Sequence, residues 1–359
     1  MIALLQITGI SVVAMTFSYF GVAVLRRVAE RRKIMDIPNE RSSHSLPTPR
    51  GGGIAIAIIS LTGLMVGGYF FPLGSWSTTI TYLCGAFFIA GISCLDDLYS
   101  LPNTVRFTGH SLAALFSVIW FGYWSHVSVP FFGELHLGWF GAFLTFLWIV
   151  GLTNAYNFMD GIDGIAGGQA VIAGLGWAFW GFMNDHMFAG ILGLLLAASC
   201  LGFLGHNWPP ARIFMGDVGS AFLGYTFSIL AVIAAQNDPR LAVAGILFVW
   251  PFVFDSSFTF FLRLLKGENV FMAHRSHLYQ RLVMAGCTHR FVSSLYIGLA
   301  LLGVVLSLGW LEQLKGCSVL IGLGIPSLCL GLWGFVNRKE SLRGIRRPEW
   351  SRFNSGGMS

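Results

Sequence analysis

Long apolar runs alternate with short polar stretches along the whole chain. About 20 apolar residues cross the ~30 Å hydrocarbon core of a bilayer. Eleven runs approach that length, at roughly 2–24, 52–72, 78–95, 107–124, 136–153, 168–184, 187–205, 218–235, 240–262, 291–310 and 316–336. Backbone polar groups in lipid must be bonded within their own segment, so each run predicts a helix. The pattern predicts an all-α, polytopic membrane helix bundle of about 11 transmembrane helices, with its chemistry on cytoplasmic loops. Residues 1–337 make up the membrane domain in this reading, and 338–359 a basic cytoplasmic tail.

Composition agrees: 55% of residues are hydrophobic and 11% charged, whereas soluble domains carry about 25% charged residues. A large soluble domain is excluded, because the longest polar connections run to only about 25–30 residues. The charges sort by side. With the amino terminus outside, 20 of the 22 Lys and Arg fall on cytoplasmic segments, leaving only Arg240 and Lys315 outside. Such a bias fixes the orientation. The six cysteines stand singly, with no Cys-x-x-Cys, and read as apolar packers rather than disulfides or zinc ligands.

That orientation puts five polar constellations on one face. The densest is Asn154-Ala-Tyr-Asn157-Phe-Met-Asp160-Gly-Ile-Asp163-Gly164. On a helix its two amides and two carboxylates recur at i, i+3 and share one side, while the glycines favour a break or a close ligand approach. Asp96-Asp97 ends the third run. Adjacent carboxylates repel unless a cation lies near, unless they merely cap the following loop. Asp217, in Arg212-Ile-Phe-Met-Gly-Asp217-Val-Gly-Ser220, stands where a helix begins; it is either an N-cap or a member of an oxygen-ligand site. The first cytoplasmic loop holds His44, Thr48 and Arg50 ahead of Gly51-Gly52-Gly53, whose amides suit an anion or, more blandly, a lipid-facing basic loop. The last loop holds His274-Arg275-Ser276-His277, and the two histidines and Arg281 share a spacing suited to phosphate. Asp255, alone inside the ninth run, reads as a supporting carboxylate.

At these residues the chain resembles the polyprenyl-phosphate N-acetylhexosamine-1-phosphate transferases. The resemblance runs through Ser43-His44-Ser-Leu-Pro-Thr48-Pro-Arg50-Gly-Gly, Leu95-Asp96-Asp97, Asn154 to Gly164, Phe214-Met-Gly-Asp217-Val-Gly-Ser220 and His274-Arg275-Ser-His277. It is strongest to the subgroup that initiates O-antigen, since His-Arg-Ser-His replaces the triple-histidine loop of the peptidoglycan branch. It implies transfer of an N-acetylhexosamine-1-phosphate from a UDP-sugar to undecaprenyl phosphate, with release of UMP. The enzyme would sit in the bacterial inner membrane, depend on Mg²⁺ (or Mn²⁺), and act without nucleic acid; a homodimer is compatible with it. The implied roles are catalytic for Asp96, Asp97, Asp160, Asp163, His274 and His277. Substrate binding falls to His44, Thr48, Arg50, Arg106, Asn154, Asn157, Arg212 and Arg275, and the metal to Asp217 with Asp96 and Asp97. Asp97 is either metal-facing or the base for the acceptor phosphate.

Two rival classes fit less well. A transporter places its polar groups near the bilayer midplane, whereas here they gather at one face. A CDP-alcohol phosphotransferase would need an Arg where Gly167 follows Ala166.

Overall fold

The computed structural model describes residues 2–38, 46–269 and 274–344. In chain order these form α1 (Ile2–Arg32), a two-residue ribbon β1 (Met35–Asp36) and β2 (Thr48–Pro49), α2 (Gly53–Phe70), α3 (Trp76–Tyr99) and α4 (Asn103–Phe121). A hairpin β3 (His126–Val129) and β4 (Gly133–His136) leads to α5 (Phe140–Met159), α6 (Ile165–Met183), α7 (Met187–Asn207) and α8 (Asp217–Ala235). Then come α9 (Arg240–Phe248), α10 (Trp250–Leu265), α11 (Leu278–Met284) and α12 (His289–Leu311). In the last span, α13 (Cys317–Val319) passes through a π-helical stretch (Leu320–Gly324) into α14 (Ile325–Leu342).

Nine helices among the described residues are long and apolar enough to cross a membrane, or ten with the bent pair α9–α10. The expected eleventh, α4, is less apolar, yet its ends touch both faces of the bundle. Arg106 meets Asp96 and Asp217 at one end, and Tyr123, just beyond its other end, accepts a hydrogen bond from Gln236 past the far end of α8. The ninth run is not one straight helix: α9 and α10 meet at 82°. Pro251 has no amide proton to continue the ladder, and Gln169 Nε2 donates to the Phe248 carbonyl at 2.8 Å at the break. The two short β-hairpins were not expected from the apolar pattern.

Burial orders the bundle. In α8, 94% of the spanning residues are buried, against 17% in α1 and 22% in the last span. A helix apolar on every side belongs in the middle, and α2, α3, α5 and α9 pack around this one. Small residues let the backbones close in. A Cβ on Gly219 would lie 2.6 Å from the Gly53 Cα, so the starts of α2 and α8 meet through glycine alone. Among the described residues, the five Asp of the expected site lie with Arg50 and Arg106 at the end where α3 and α5 finish and α8 begins.

Candidate active site

The acidic side is built around the first turn of α8. The N-cap there is Gly216, which has no side chain to satisfy the orphan amides. Asp97, from the end of α3, takes that role: its Oδ1 and Oδ2 accept the amide protons of Asp217 and Val218, each at 3.2 Å. Arg50 Nη1 lies 4.0 Å from Asp97 Oδ1, and its other terminal nitrogen donates to the Asp97 carbonyl. Asp96 accepts from Arg106 Nη1 at 2.7 Å and from the Leu101 amide at 2.7 Å. The same Arg106 nitrogen is 3.3 Å from Asp217 Oδ2. Asn157 Nδ2 donates to Asp217 Oδ1 at 2.8 Å and to the Ser220 hydroxyl at 3.0 Å. The side chain of Asp217 is 32% exposed and that of Asp96 only 5%, so of these two Asp217 is the one open to a ligand.

Asp160 lies beside this group. It follows the last residue of α5, and among the described residues its carboxylate accepts no hydrogen bond. Burial, then the nearby Asp217, Asp97 and Asp163 carboxylates, push its pKa well above the ordinary range. Four carboxylates (Asp96, Asp97, Asp160, Asp217) thus face two guanidiniums, Arg50 and Arg106.

The basic side is the segment from His274 to α11. Asp255 is fully buried and accepts the amide protons of Leu278 (2.8 Å) and Tyr279 (3.0 Å), the Tyr296 hydroxyl (2.5 Å), the Thr259 hydroxyl (3.2 Å) and His277 Nδ1 (3.2 Å). The His274 and His277 rings stand 4.9 Å apart. His274 Nδ1 accepts the Ser276 amide proton at 3.3 Å, which leaves its proton on Nε2. Burial first, then His277 and Arg263, lower its pKa to about 4, so at neutral pH it is an uncharged donor. Tyr279 joins the two sides: its hydroxyl donates to the Phe158 carbonyl at 2.9 Å. A Cβ on Gly161 would stand 2.0 Å from that hydroxyl, so glycine is required there.

Several expected residues are placed differently. The Asn154–Asp163 row does not share one helical face, because the helix ends at Met159 and the glycines turn the chain. Asp163 Oδ2 accepts the Ala211 amide at 3.0 Å and its Oδ1 pairs with His289 at 3.3 Å, so it ties the 208–212 loop to α12. Asn154 sits one turn inside the bundle with His110, at 3.2 Å. Gly52 and Gly53 amides donate to the Phe214 and Met215 carbonyls rather than presenting to an anion. Thr48 bonds the Leu46 carbonyl, and exposed Arg212 reaches none of the carboxylates. Arg281 is withdrawn from the phosphate patch, because Glu340 holds it in a buried pair. Arg275 is half-buried between the two histidines. His44 lies outside the described residues. His110, Tyr279 and His289 were not singled out in the sequence as site residues, and Ser220 appeared there only as the end of the Asp217 motif.

Residues 79–235 match the family described as "Glycosyl transferase family 4". A probable undecaprenyl-phosphate N-acetylglucosaminyl 1-phosphate transferase of Bacillus subtilis (strain 168) is 35% identical over 305 residues, covering 84% of this chain and 83% of that protein. The chain belongs to the polyprenyl-phosphate hexosamine-1-phosphate transferase family. More distant relatives of this transferase are a decaprenyl-phosphate N-acetylglucosaminephosphotransferase of Mycobacterium leprae (29% identity, 91% and 90% coverage) and a phospho-N-acetylmuramoyl-pentapeptide-transferase of Listeria monocytogenes serotype 4b (27% identity, 72% and 83% coverage).

A divalent cation was expected at the acidic side of the transferase. Among the described residues no three His, Cys, Asp or Glu side chains converge to hold one as they stand. Arg106 Nη1 instead bridges Asp96 and Asp217, at 2.7 Å and 3.3 Å. The donor chemistry nevertheless fits: the carboxylates and amides of the cluster offer oxygen ligands, which suits a hard cation.

Proposed function

We propose that the transferase moves an N-acetylhexosamine-1-phosphate from a UDP-sugar to undecaprenyl phosphate and releases UMP, at the cytoplasmic face of the bacterial inner membrane. The observation that carries this reading is a carboxylate-rich centre, in which Asp217 and Asp160 are only partly buried, facing a histidine loop across Tyr279. Two of the relatives named above carry N-acetylglucosamine in their names, which makes UDP-GlcNAc the first donor to try. The lipid-linked product is a starter for surface polysaccharide, O-antigen included.

The acceptor is a phosphate monoester with a second pKa near ~6, so it arrives largely ionised and needs little help from a base. The remaining difficulty is electrostatic, because two anions must meet. Asp217 and Asp160, with Asp96 once Arg106 releases it, would hold Mg²⁺, whose chemistry is to neutralise the diphosphate and polarise its oxygens. A freed Arg106 adds a guanidinium for the phosphates. His274 offers a neutral N–H, and Arg275 a charge, to the donor diphosphate. Asp97, with both oxygens on amide protons, orients Asp217 rather than accepting a proton.

The test is UMP release by the purified protein, with undecaprenyl phosphate and a panel of UDP-N-acetylhexosamines, with and without Mg²⁺. Release that requires both lipid and Mg²⁺ is expected. Mg²⁺-independent release would remove the metal from the scheme, and no release with any donor would overturn the reading.

A further inference from the structure

The last helix reaches the site through one ion pair. Glu340 Oε1 accepts from Arg281 Nε at 2.8 Å, and Oε2 accepts from Nη2 at 2.7 Å, a two-pronged pair in which each side chain is 10% exposed. Asn337 Oδ1, one turn earlier on α14, accepts from the same Nη2 at 2.8 Å. A fork of this kind fixes orientation as well as distance. Arg281 in turn donates its amide proton to the His277 carbonyl at 2.9 Å.

What this pair holds is a seven-residue helix. Two turns cannot sustain themselves in isolation, so α11 takes its place from whatever grips it. Asp255 grips its start, and Tyr279 fixes one side to Phe158. The far side is held by Glu340 and Asn337, and a second contact lies just beyond. A Cβ on Gly286, directly after α11, would lie 2.0 Å from the Arg343 guanidinium, which packs over that glycine. Asn337 and Glu340 of α14, and Arg343 just past its end, lie outside the stretch matched by the family, 79–235.

We propose that Glu340, aided by Asn337, is a positioning residue for the donor side of the site, acting through Arg281 on the His274–His277 segment. This rests on the reading that this segment holds the donor diphosphate. Removing the brace lets α11 shift while the acidic side stays put, so the defect falls on the donor and spares the acceptor.

The experiment uses the full chain, purified in detergent, with UDP-GlcNAc and undecaprenyl phosphate varied separately. For Glu340→Gln, KM for UDP-GlcNAc should rise by about tenfold to a hundredfold while KM for the lipid and kcat stay within about twofold. Glu340→Asp, which keeps the charge, should recover part of the loss. Asn337→Ala removes one acceptor and leaves the ion pair, so it should give a smaller shift of the same kind in a protein that melts close to wild type. Unchanged donor KM in folded Glu340→Gln or Asn337→Ala would overturn the proposal, as would a loss confined to apparent kcat in proportion to the folded fraction. His274→Gln separates the two readings. If it leaves donor KM unchanged, the donor assignment of the segment fails, whatever Glu340 does.

Discussion

Asp97 and Asp255 are the same device used in two different settings. Each sits on a membrane helix, and each carboxylate accepts the first amide protons of a helix from elsewhere in the chain: Asp97 for α8, Asp255 for α11. The helices they cap differ. α8 has 19 residues and is buried almost throughout, so packing holds it whether or not its start is capped. α11 has seven residues; it buries only Leu278, Tyr279 and Leu282 in the core, and Asp255, Tyr279 and Arg281 fix its place by hydrogen bonds. The acidic side of the site is therefore held by the burial of a long helix, and the histidine side by a short buried stripe, Leu278 and Leu282, with hydrogen bonds to fix its place. A cap on the first aims one side chain; a cap on the second locates a whole element.

The largest effect should come from the aimed side chain itself. Asp217→Asn is expected to lower turnover by roughly 10²–10³-fold, the scale of losing one main electrostatic contact in a transition state. Its melting temperature should stay near wild type, since Asp97 and not Asp217 caps α8. Loss of folded protein would mean that α8 depends on its first residue after all. Next comes Asp255→Asn, which leaves one fewer anionic acceptor for five donors in a fully buried place. Such a loss costs about 1–3 kcal/mol, and it should appear both as a lower melting temperature and as weaker donor binding. If only the melting temperature moved, Asp255 would support the bundle without locating the histidine loop.

The contrast also explains what the sequence could reveal. Span number and the one-sided gathering of polar groups were legible, because lipid forces helices and the basic residues mark one face. Asp96, Asp97, Asn157 and Asp217 were legible as a cluster because each breaks an apolar run near its end. The extent of α5 was not, since the apolar run stops at Asn154 whereas the helix continues to Met159 with its amides turned into the bundle. The bend at Val249 was missed because a single Pro251 in an apolar run leaves both halves equally greasy. Asp255 was visible as a lone intramembrane carboxylate, but His277, Leu278 and Tyr279 among its partners lie 22 to 24 residues further on, where nothing local points back to it. The service of Arg281 to Glu340, 59 residues away, could not be told from service to a phosphate.

Asp97 offers a sharper break in the comparison. Asn is itself a good helix cap, so Asp97→Asn should keep α8 started and cost only a few-fold in turnover, about 1 kcal/mol or less in transition-state terms. Steady-state turnover beside Asp217→Asn decides it. A loss as deep as that of Asp217→Asn would return Asp97 to the role of base.

The smallest effect concerns pH and the hydrogen-bonded side alone. In the unfolded chain His274 takes up a proton near its ordinary value of 6.5, whereas in the folded protein burial beside His277 and Arg263 delays this until about 4. Between those values the unfolded state binds the extra proton, so stability rises with pH across the window and is lost as pH falls from 6.5 toward 4. Melting curves of wild type and His274→Gln in detergent, taken every half unit from pH 7.5 to 4.5, should therefore converge toward the acid end. Parallel curves would mean that the folded loop charges His274 as readily as water does, and that the segment is looser than its bonds to Asp255 and Glu340 require.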